Sequence, residues 1–271
     1  MKIGIAGLGL IGGSLALALK KDHDVTGFDV DRGAREAMGR AGVRVVTELT
    51  ALLPADAVIV ATPLRGILTT LAALADHAGG AVLLDVGSIR GPVDAFARHD
   101  GHRARIVGLH PMAGRTTQGH GSADAALFVD RPFLVVPTER SDSEAMAIAG
   151  DIARAAGGVV TVCSAAEHDR IVAVLSALPL ALAAALSVAG ADAVPDLAAF
   201  AGPGYRDATR LALTPLDLAE AMLTANRANV VAALARMRTI LDELERAIAE
   251  GDSAGVREIL VRAAQARAAL G

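Results

Sequence analysis

The sequence predicts an α/β fold whose first half is a doubly wound, largely parallel sheet and whose second half is all helix. Three observations carry this expectation. Short β-branched runs alternate with helical patterns up to residue 163, a glycine-rich turn joins the first run to the first helix, and after Ser164 the strand signal stops. Alternating strands and helices imply crossover units, because parallel neighbours need a long connection that packs on one face of the sheet.

Taken in order, candidate strands fall at 2–6, 24–29, 43–46, 57–61, 81–85, 105–109, 133–137 and 158–162. Helical patterns lie between them at 11–20, 31–40, 64–76, 89–98 and 142–155. The run Ala81-Val-Leu-Leu-Asp85 is apolar on both faces, as a central parallel strand should be. Between the first strand and the first helix stands Gly7-Leu-Gly9-Leu10-Ile11-Gly12-Gly13-Ser14. The first glycine lets the chain turn, the second lets backbone approach a pyrophosphate, and the third lets helix pack on strand, with the positive helix end at the phosphates. A carboxylate, Asp29, ends the second strand seventeen residues beyond Gly12. Such a residue accepts the adenosine ribose hydroxyls and repels a 2′-phosphate, which favours NAD over NADP. Gly7, Gly9, Leu10, Ile11, Gly12 and Asp29 are therefore candidate cofactor contacts in a Rossmann-type domain. Thr62 and Pro63, at the end of the fourth strand, join them. Arg32 reads as an ordinary surface charge at a helix start.

Bulk composition narrows the function. The 271 residues are 53% hydrophobic but only 2% aromatic, so the core must be built from Ala, Val, Leu and Ile. A net charge of −4 with no basic run points away from nucleic acid and anionic membranes. One cysteine, Cys163, excludes an internal disulfide framework and a CxxC metal site. The chain opens directly on a strand, leaving no room for a signal peptide, so a cytoplasmic protein is expected.

In the second half, Ser164-Ala-Ala-Glu167 reads as a capping box. It opens a helix whose stretch 171–191 carries no charge and is long enough to cross a bilayer. Pro179, Ser176, Ser187 and Gly190 interrupt it, it lacks interfacial Trp or Tyr, and no positive bias flanks it. A helix buried in a soluble assembly is the expectation, with burial by a second subunit hinted at. Further on, Val230, Leu234, Met237, Leu241, Leu244 and Ile248 are spaced 4, 3, 4, 3, 4, a heptad seam that fits either a helical hairpin or a dimer interface. Gly251 should end that helix, with Asp252 or Ser253 capping the next.

In an open α/β sheet the site lies beyond the carboxyl ends of the strands. There the sequence places Asp85-Val-Gly87-Ser88-Ile-Arg90 after the fifth strand and Gly108-Leu-His110-Pro111 at the end of the sixth. Ser88 could simply cap the following helix and His110 could be a turn residue. Together they put a hydroxyl and an imidazole on neighbouring loops.

These stretches, with His110-Pro-Met-Ala-Gly114, His168-Asp169 and Tyr205-Arg-Asp-Ala-Thr-Arg210, resemble the prephenate/arogenate dehydrogenase family of tyrosine biosynthesis. The resemblance runs in order from end to end. It implies a Rossmann domain over 1–163 and a helical substrate and dimerisation domain over 164–271, with the active site in the cleft between them. It implies an NAD-dependent oxidative decarboxylation, with His110 as base, Ser88 hydrogen-bonding beside it and Arg210 binding a substrate carboxylate. No metal is required, since aromatisation supplies much of the driving force. The chain departs from the family's Ser-His-x-Pro-His segment, reading Ser176-Ala177-Leu178-Pro179-Leu180, and from a glutamate after the His110 loop, where Gly114-Arg115-Thr116 stands. A tryptophan expected past Arg210 is also missing, with Leu218 nearest. Arg115 and His120 are candidates to supply positive charge to a carboxylate instead. The absence of a carboxylate in 115–122 leans toward prephenate, whose side chain is a keto acid, over arogenate, which presents an ammonium. The alternatives are arogenate dehydrogenase, a dehydrogenase of another small acid and, last, an NAD-binding regulator without turnover. A homodimer through the C-terminal helices is expected.

Overall fold

The strand pattern is realised as one eight-stranded sheet. A computed structural model describes residues 1–98, 103–115, 117 and 119–270. Thr116 lies outside the described residues. The strands are β1 (Lys2–Ala6), β2 (Asp24–Phe28), β3 (Arg44–Val46), β4 (Ala57–Val60), β5 (Val82–Asp85), β6 (Arg105–Pro111), β7 (Pro132–Pro137) and β8 (Val159–Val162). Their order is β3-β2-β1-β4-β5-β6-β7-β8, parallel except where β7 runs against β6. The order reverses between β1 and β4, which opens a crevice at their carboxyl ends.

Five helices cover the two faces: α1 (Leu10–Leu19), α2 (Arg32–Arg40), α3 (Leu64–Ala75), α4 (Gly91–Arg98) and α5 (Ser143–Ala155). Ile3 and Ile5 of β1 pack with Leu15 and Leu19 of α1 and Ile152 of α5, while Val58 and Val60 of β4 pack with Ile67 and Leu71 of α3 and Val93 of α4. Each such Leu, Ile or Val, once fully buried, contributes about 1.5–3 kcal/mol. In this aromatic-poor core Phe128 and Phe133 make a tilted contact, with centroids 5.4 Å apart.

At the switch point the glycines divide their work. Gly7 has φ +95°, and a Cβ there would lie 2.5 Å from the Ala61 carbonyl oxygen of the next strand. A Cβ on Gly12 would lie 1.8 Å from the Gly7 carbonyl oxygen, so helix and strand touch backbone to backbone. Gly9, by contrast, faces open space, with nothing within 4 Å of its virtual Cβ.

Strand and helix bounds match the sequence pattern within a residue or two, and one of the two-residue offsets is informative. The fourth helix was expected from residue 89 but starts at Gly91. Arg90 turns inward instead, 2% exposed, its Nη2 2.7 Å from Asp85 Oδ2.

Beyond β8 the chain is helical: α6 (Ala165–Val172), a π-helical turn Ala173–Ala177, α7 (Leu178–Ala193), α8 (Leu197–Phe200), α9 (Pro203–Thr209) and α10 (Leu216–Ala225). The capping box forms, with the Ser164 hydroxyl accepting from the Glu167 N–H and the Glu167 carboxylate accepting from the Ser164 N–H. The π-turn sits immediately before Pro179, whose missing N–H prevents a regular bond there. Within the single chain the segment 171–191 is buried on one side only. One side, Val172, Ala173, Ala177, Leu178, Leu180 and Ala183, is buried, but Val174, Leu175, Leu186 and Val188 are exposed. By length and composition, the continuous helix Ala165–Ala193 could cross a membrane; about a third of its most apolar window is buried.

The chain forms two compact units, Met1–Asn226 and Arg227–Gly271. The second holds α11 (Arg227–Ala249) and α12 (Ser253–Ala268), which pack as a hairpin around Gly251, at φ +68°. Asp252 caps α12 by accepting from the Ala254 and Gly255 N–H groups. Four of the six seam positions, Val230, Leu234, Met237 and Leu244, are sheltered, and so are Ala233, Ile240 and Ala247 beside them. Leu241 and Ile248 stay 49% and 63% exposed.

Candidate active site

The cofactor candidates converge on the switch-point crevice. Gly9 N-caps α1 in an extended conformation without any side-chain cap, and no acidic residue occupies the first turn. The helix therefore presents unsatisfied N–H groups and its positive end to the open space beside Gly9, where Leu10 and Ile11 are half-buried. Asp29 ties the two loops together, its Oδ2 accepting from the Leu8 N–H at 2.6 Å and its Oδ1 from the Asp31 N–H at 2.8 Å. On the β4 side Thr62 Oγ1 is buried without a hydrogen-bond partner, and Pro63 begins α3. A turn too tight for a Cβ, an open approach to a helix N-terminus and an orphaned hydroxyl fit a dinucleotide. Arg32 is engaged on the surface with Glu36 at 2.6 Å.

Two residues of the same motif have a duty that sequence reading missed. Ser14 Oγ accepts from the Asp124 N–H at 2.9 Å, and a Cβ on Gly13 would meet Ala123 at 3.0 Å. They hold the connection from β6 to β7 down on α1. His120, on that connection, lies 4.0 Å from Asp31 Oδ2, on the adenosine side of the crevice by the logic of the fold. This is a different place from the substrate-carboxylate role expected of it.

Ser88 and His110 lie past the paired ends of adjacent strands, where Asp85 of β5 faces Gly108 of β6. Among the described residues the Ser88 hydroxyl has no hydrogen-bond partner, and it does not cap α4. That cap comes from Asp169 of α6, whose Oδ1 accepts from the Arg90 N–H at 2.9 Å and Oδ2 from the Gly91 N–H at 3.0 Å. His110 belongs to β6 itself and is half-buried. Its Nδ1 is 2.9 Å from Nε2 of His168, whose Nδ1 is in turn 2.9 Å from Asp169 Oδ1. His168 is fully buried.

Electrostatics keep both imidazoles neutral. Burial first, then the neighbouring His168 and the Arg90 charge, hold His110 well below the ordinary histidine value. Burial also lowers His168, against the pull of Asp169. For Asp169 burial pushes upward, but the hydrogen bonds from His168, Arg90 and Gly91 outweigh it and keep the carboxyl below its usual range. Asp85 is pushed up by burial, against the attraction of Arg90.

The two arginines stand apart from this cluster. Arg210 lies on a 3₁₀ turn, Arg210–Leu213, exposed and without an ion-pair partner among the described residues. Its turn and α9 pack on α7, where the Tyr205 hydroxyl donates to the Leu186 carbonyl at 3.1 Å. Arg115 is paired with Asp124, beyond the carboxylate-free loop. Ala177 and Leu180, at the positions where the family resemblance leads one to expect histidines, are buried. Sequence reading quoted His168-Asp169 without a role. A His-Asp pair directly after a capping box, on the first inward face of a helix, was the available signal.

Comparison with known proteins agrees with this geometry. Residues 15–162 match the family described as prephenate dehydrogenase, nucleotide-binding domain, and residues 164–262 match prephenate dehydrogenase, dimerization domain. Prephenate dehydrogenase of Bacillus subtilis is 33% identical over 221 residues, 77% of this chain; the match spans 59% of the Bacillus protein. Cyclohexadienyl dehydrogenase of Zymomonas mobilis is 30% identical over 99% of this chain and 95% of its own. The crystal structure of Synechocystis arogenate dehydrogenase matches over the whole of both chains with a TM-score of 0.85 at 30% identity. Prephenate dehydrogenase from A. aeolicus, solved with hydroxyphenyl propionate and NAD+, shares the fold at a TM-score of 0.91 and 24% identity, over 99% of this chain and 98% of that one. The chain belongs to the prephenate dehydrogenase family of NAD-dependent oxidoreductases.

Proposed function

We propose that this protein oxidatively decarboxylates prephenate to 4-hydroxyphenylpyruvate, with NAD held by Gly7, Gly9, Leu10, Ile11, Gly12, Asp29, Thr62 and Pro63. The observation that carries this reading is a half-buried, neutral His110 at the carboxyl end of β6, with the unengaged hydroxyl of Ser88 on the neighbouring loop. Bound in the crevice, NAD supplies the hydride acceptor. His110 accepts the proton of the substrate's ring hydroxyl, which pushes the carbinol hydrogen out as hydride, and loss of CO2 makes the ring aromatic. Ser88 hydrogen-bonds the same hydroxyl and fixes its direction. Arg210, free of any ion pair, binds a substrate carboxylate, as a guanidinium does bidentately. Arg115 is a weaker candidate because Asp124 already neutralises it.

Arogenate is the second reading, favoured by the full-length match to the Synechocystis arogenate dehydrogenase. Against it, the carboxylate nearest the loop, Asp124, is committed to Arg115 and is not free to bind an ammonium. We also propose a cytoplasmic homodimer assembled through the C-terminal helices. It would cover the exposed side of α7 and the turn before it, Val174, Leu175, Leu186 and Val188, which is too apolar to face water in a soluble enzyme.

NADH formation with prephenate and with arogenate decides the substrate, and formation only with arogenate would transfer the assignment. His110→Ala is expected to lower turnover by roughly 10²–10⁴. Arg210→Ala should weaken substrate binding by about 2–5 kcal/mol, and an unchanged KM would remove it from the site. Because Gly9 borders open space, Gly9→Ala should leave the melting temperature unchanged. It should cost about 1–3 kcal/mol of NAD affinity by crowding the approach, and calorimetric titration showing wild-type binding would contradict the cradle. Light scattering should give a mass twice 27.5 kDa for the wild type and a single chain for the double variant Leu175→Glu, Val188→Glu. A monomeric wild type would rule the dimer out.

A further inference from the structure

We propose that His168 and Asp169 are positioning residues that hold His110 in a single tautomer, with the proton on Nδ1 and the lone pair on Nε2. The proposal rests on His110 being the base and explains how that base is kept ready.

Proton positions follow from donor and acceptor counting along the chain of contacts. The Asp169 carboxylate receives two backbone N–H groups, from Arg90 and Gly91, and faces His168 Nδ1 at 2.9 Å. A carboxylate with three donors around it stays ionised and can only accept, so His168 must carry its proton on Nδ1. A neutral imidazole has one N–H, which leaves His168 Nε2 bare. His110 Nδ1, 2.9 Å away, must then donate to it. The remaining nitrogen of His110, Nε2, is left as a lone pair with no protein partner. In water the proton of a neutral histidine prefers Nε2, which would block that atom. The relay reverses the preference. When His110 takes up a proton, its Nδ1–H bond to His168, backed by Asp169, also steadies the imidazolium, as an acid-base partner does in other catalytic dyads.

A purely structural role does not explain the arrangement. Capping α4 needs Asp169 alone, whereas an imidazole at 0% exposure is costly unless both nitrogens are satisfied. Both are. The charged and titratable groups around the pair are Asp85 at the end of β5, Arg90 from the loop after it, and Cys163, Glu167 and Arg170 flanking His168 in sequence. Glu167 is spent on the Ser164 cap and Arg90 on Asp85. Asp169 is the one carboxylate that hydrogen-bonds an imidazole of the pair.

Nitrogen-15 NMR of histidine-labelled protein tests this without substrate. In the wild type His110 should show a protonated Nδ1 and a bare Nε2. His168→Leu removes the acceptor and should move His110 toward the Nε2–H form. His168→Gln, whose carbonyl can still accept from His110 Nδ1, should restore the Nδ1–H form. In turnover, His168→Leu should lower kcat about 10²-fold with KM for substrate within threefold of the wild type, and His168→Gln should recover part of the loss. A wild-type His110 protonated on Nε2 would overturn the proposal, as would a His168→Leu protein with unchanged tautomer and kcat. Failure of the base assignment is separable: His110→Ala would then keep its turnover while the tautomer result stood.

Discussion

A guanidinium buried at the carboxyl ends of β5 and β6 sets the terms for everything around it. Arg90 is nearly inaccessible, paired with a fully buried Asp85 and donating to the Asp85 and Gly87 carbonyls. Its bulk requires glycine at the neighbouring strand: a Cβ on Gly108 would come within 2.4 Å of Nη1. Its inward turn delays α4 to Gly91, and the two N–H groups so exposed are taken by Asp169 from α6. Removing one partner of such a buried pair costs about 3–5 kcal/mol, so the loop that carries Ser88 is held firmly.

From that constraint the chemistry follows in two directions. Toward the sheet centre, the β5–β6 pairing ends at Asp85 and Gly108, and Ser88 and His110 follow just beyond it, His110 still within β6. Toward the helical half, Asp169 joins the first helix after the sheet to the imidazole chain, and Asn226 donates to the Asp169 carbonyl at 2.6 Å to hold that helix in turn. The positive charge of Arg90 also disfavours protonation of both histidines, keeping them neutral. Structural and catalytic needs are met by one cluster.

Much of this was legible in the sequence. Parallel strands buried on both faces show as Val, Ile and Leu runs such as 57–60 and 82–85, and the glycine turn announces its role by spacing. Residues whose function depends on a distant partner were not. His168 meets His110 across 58 positions of sequence, and only the fold reveals that contact. Ser14 stood in the glycine motif without a role of its own, and its partner Asp124 lies 110 residues away in sequence. The start of α4 was misplaced for the same reason, since its cap comes from another helix. On α11 the heptad spacing found Val230, Leu234, Met237 and Leu244 on the sheltered side, while the buried Ala233 and Ala247 beside them gave no signal of their own. Family resemblance supplied the roles of His110, Ser88 and Arg210. Spacing alone would have left Arg210 as a surface charge.

The assignment of His110 as a buried base kept neutral by its surroundings is tested most directly by the pH dependence of kcat/KM for NAD-dependent oxidation of prephenate by the wild-type enzyme. A base must be unprotonated, and burial lowers its pKa, so activity should persist below the ordinary imidazole value of about 6.5 and fall only at more acidic pH. An acid limb at or above that value would contradict the buried, relay-held base.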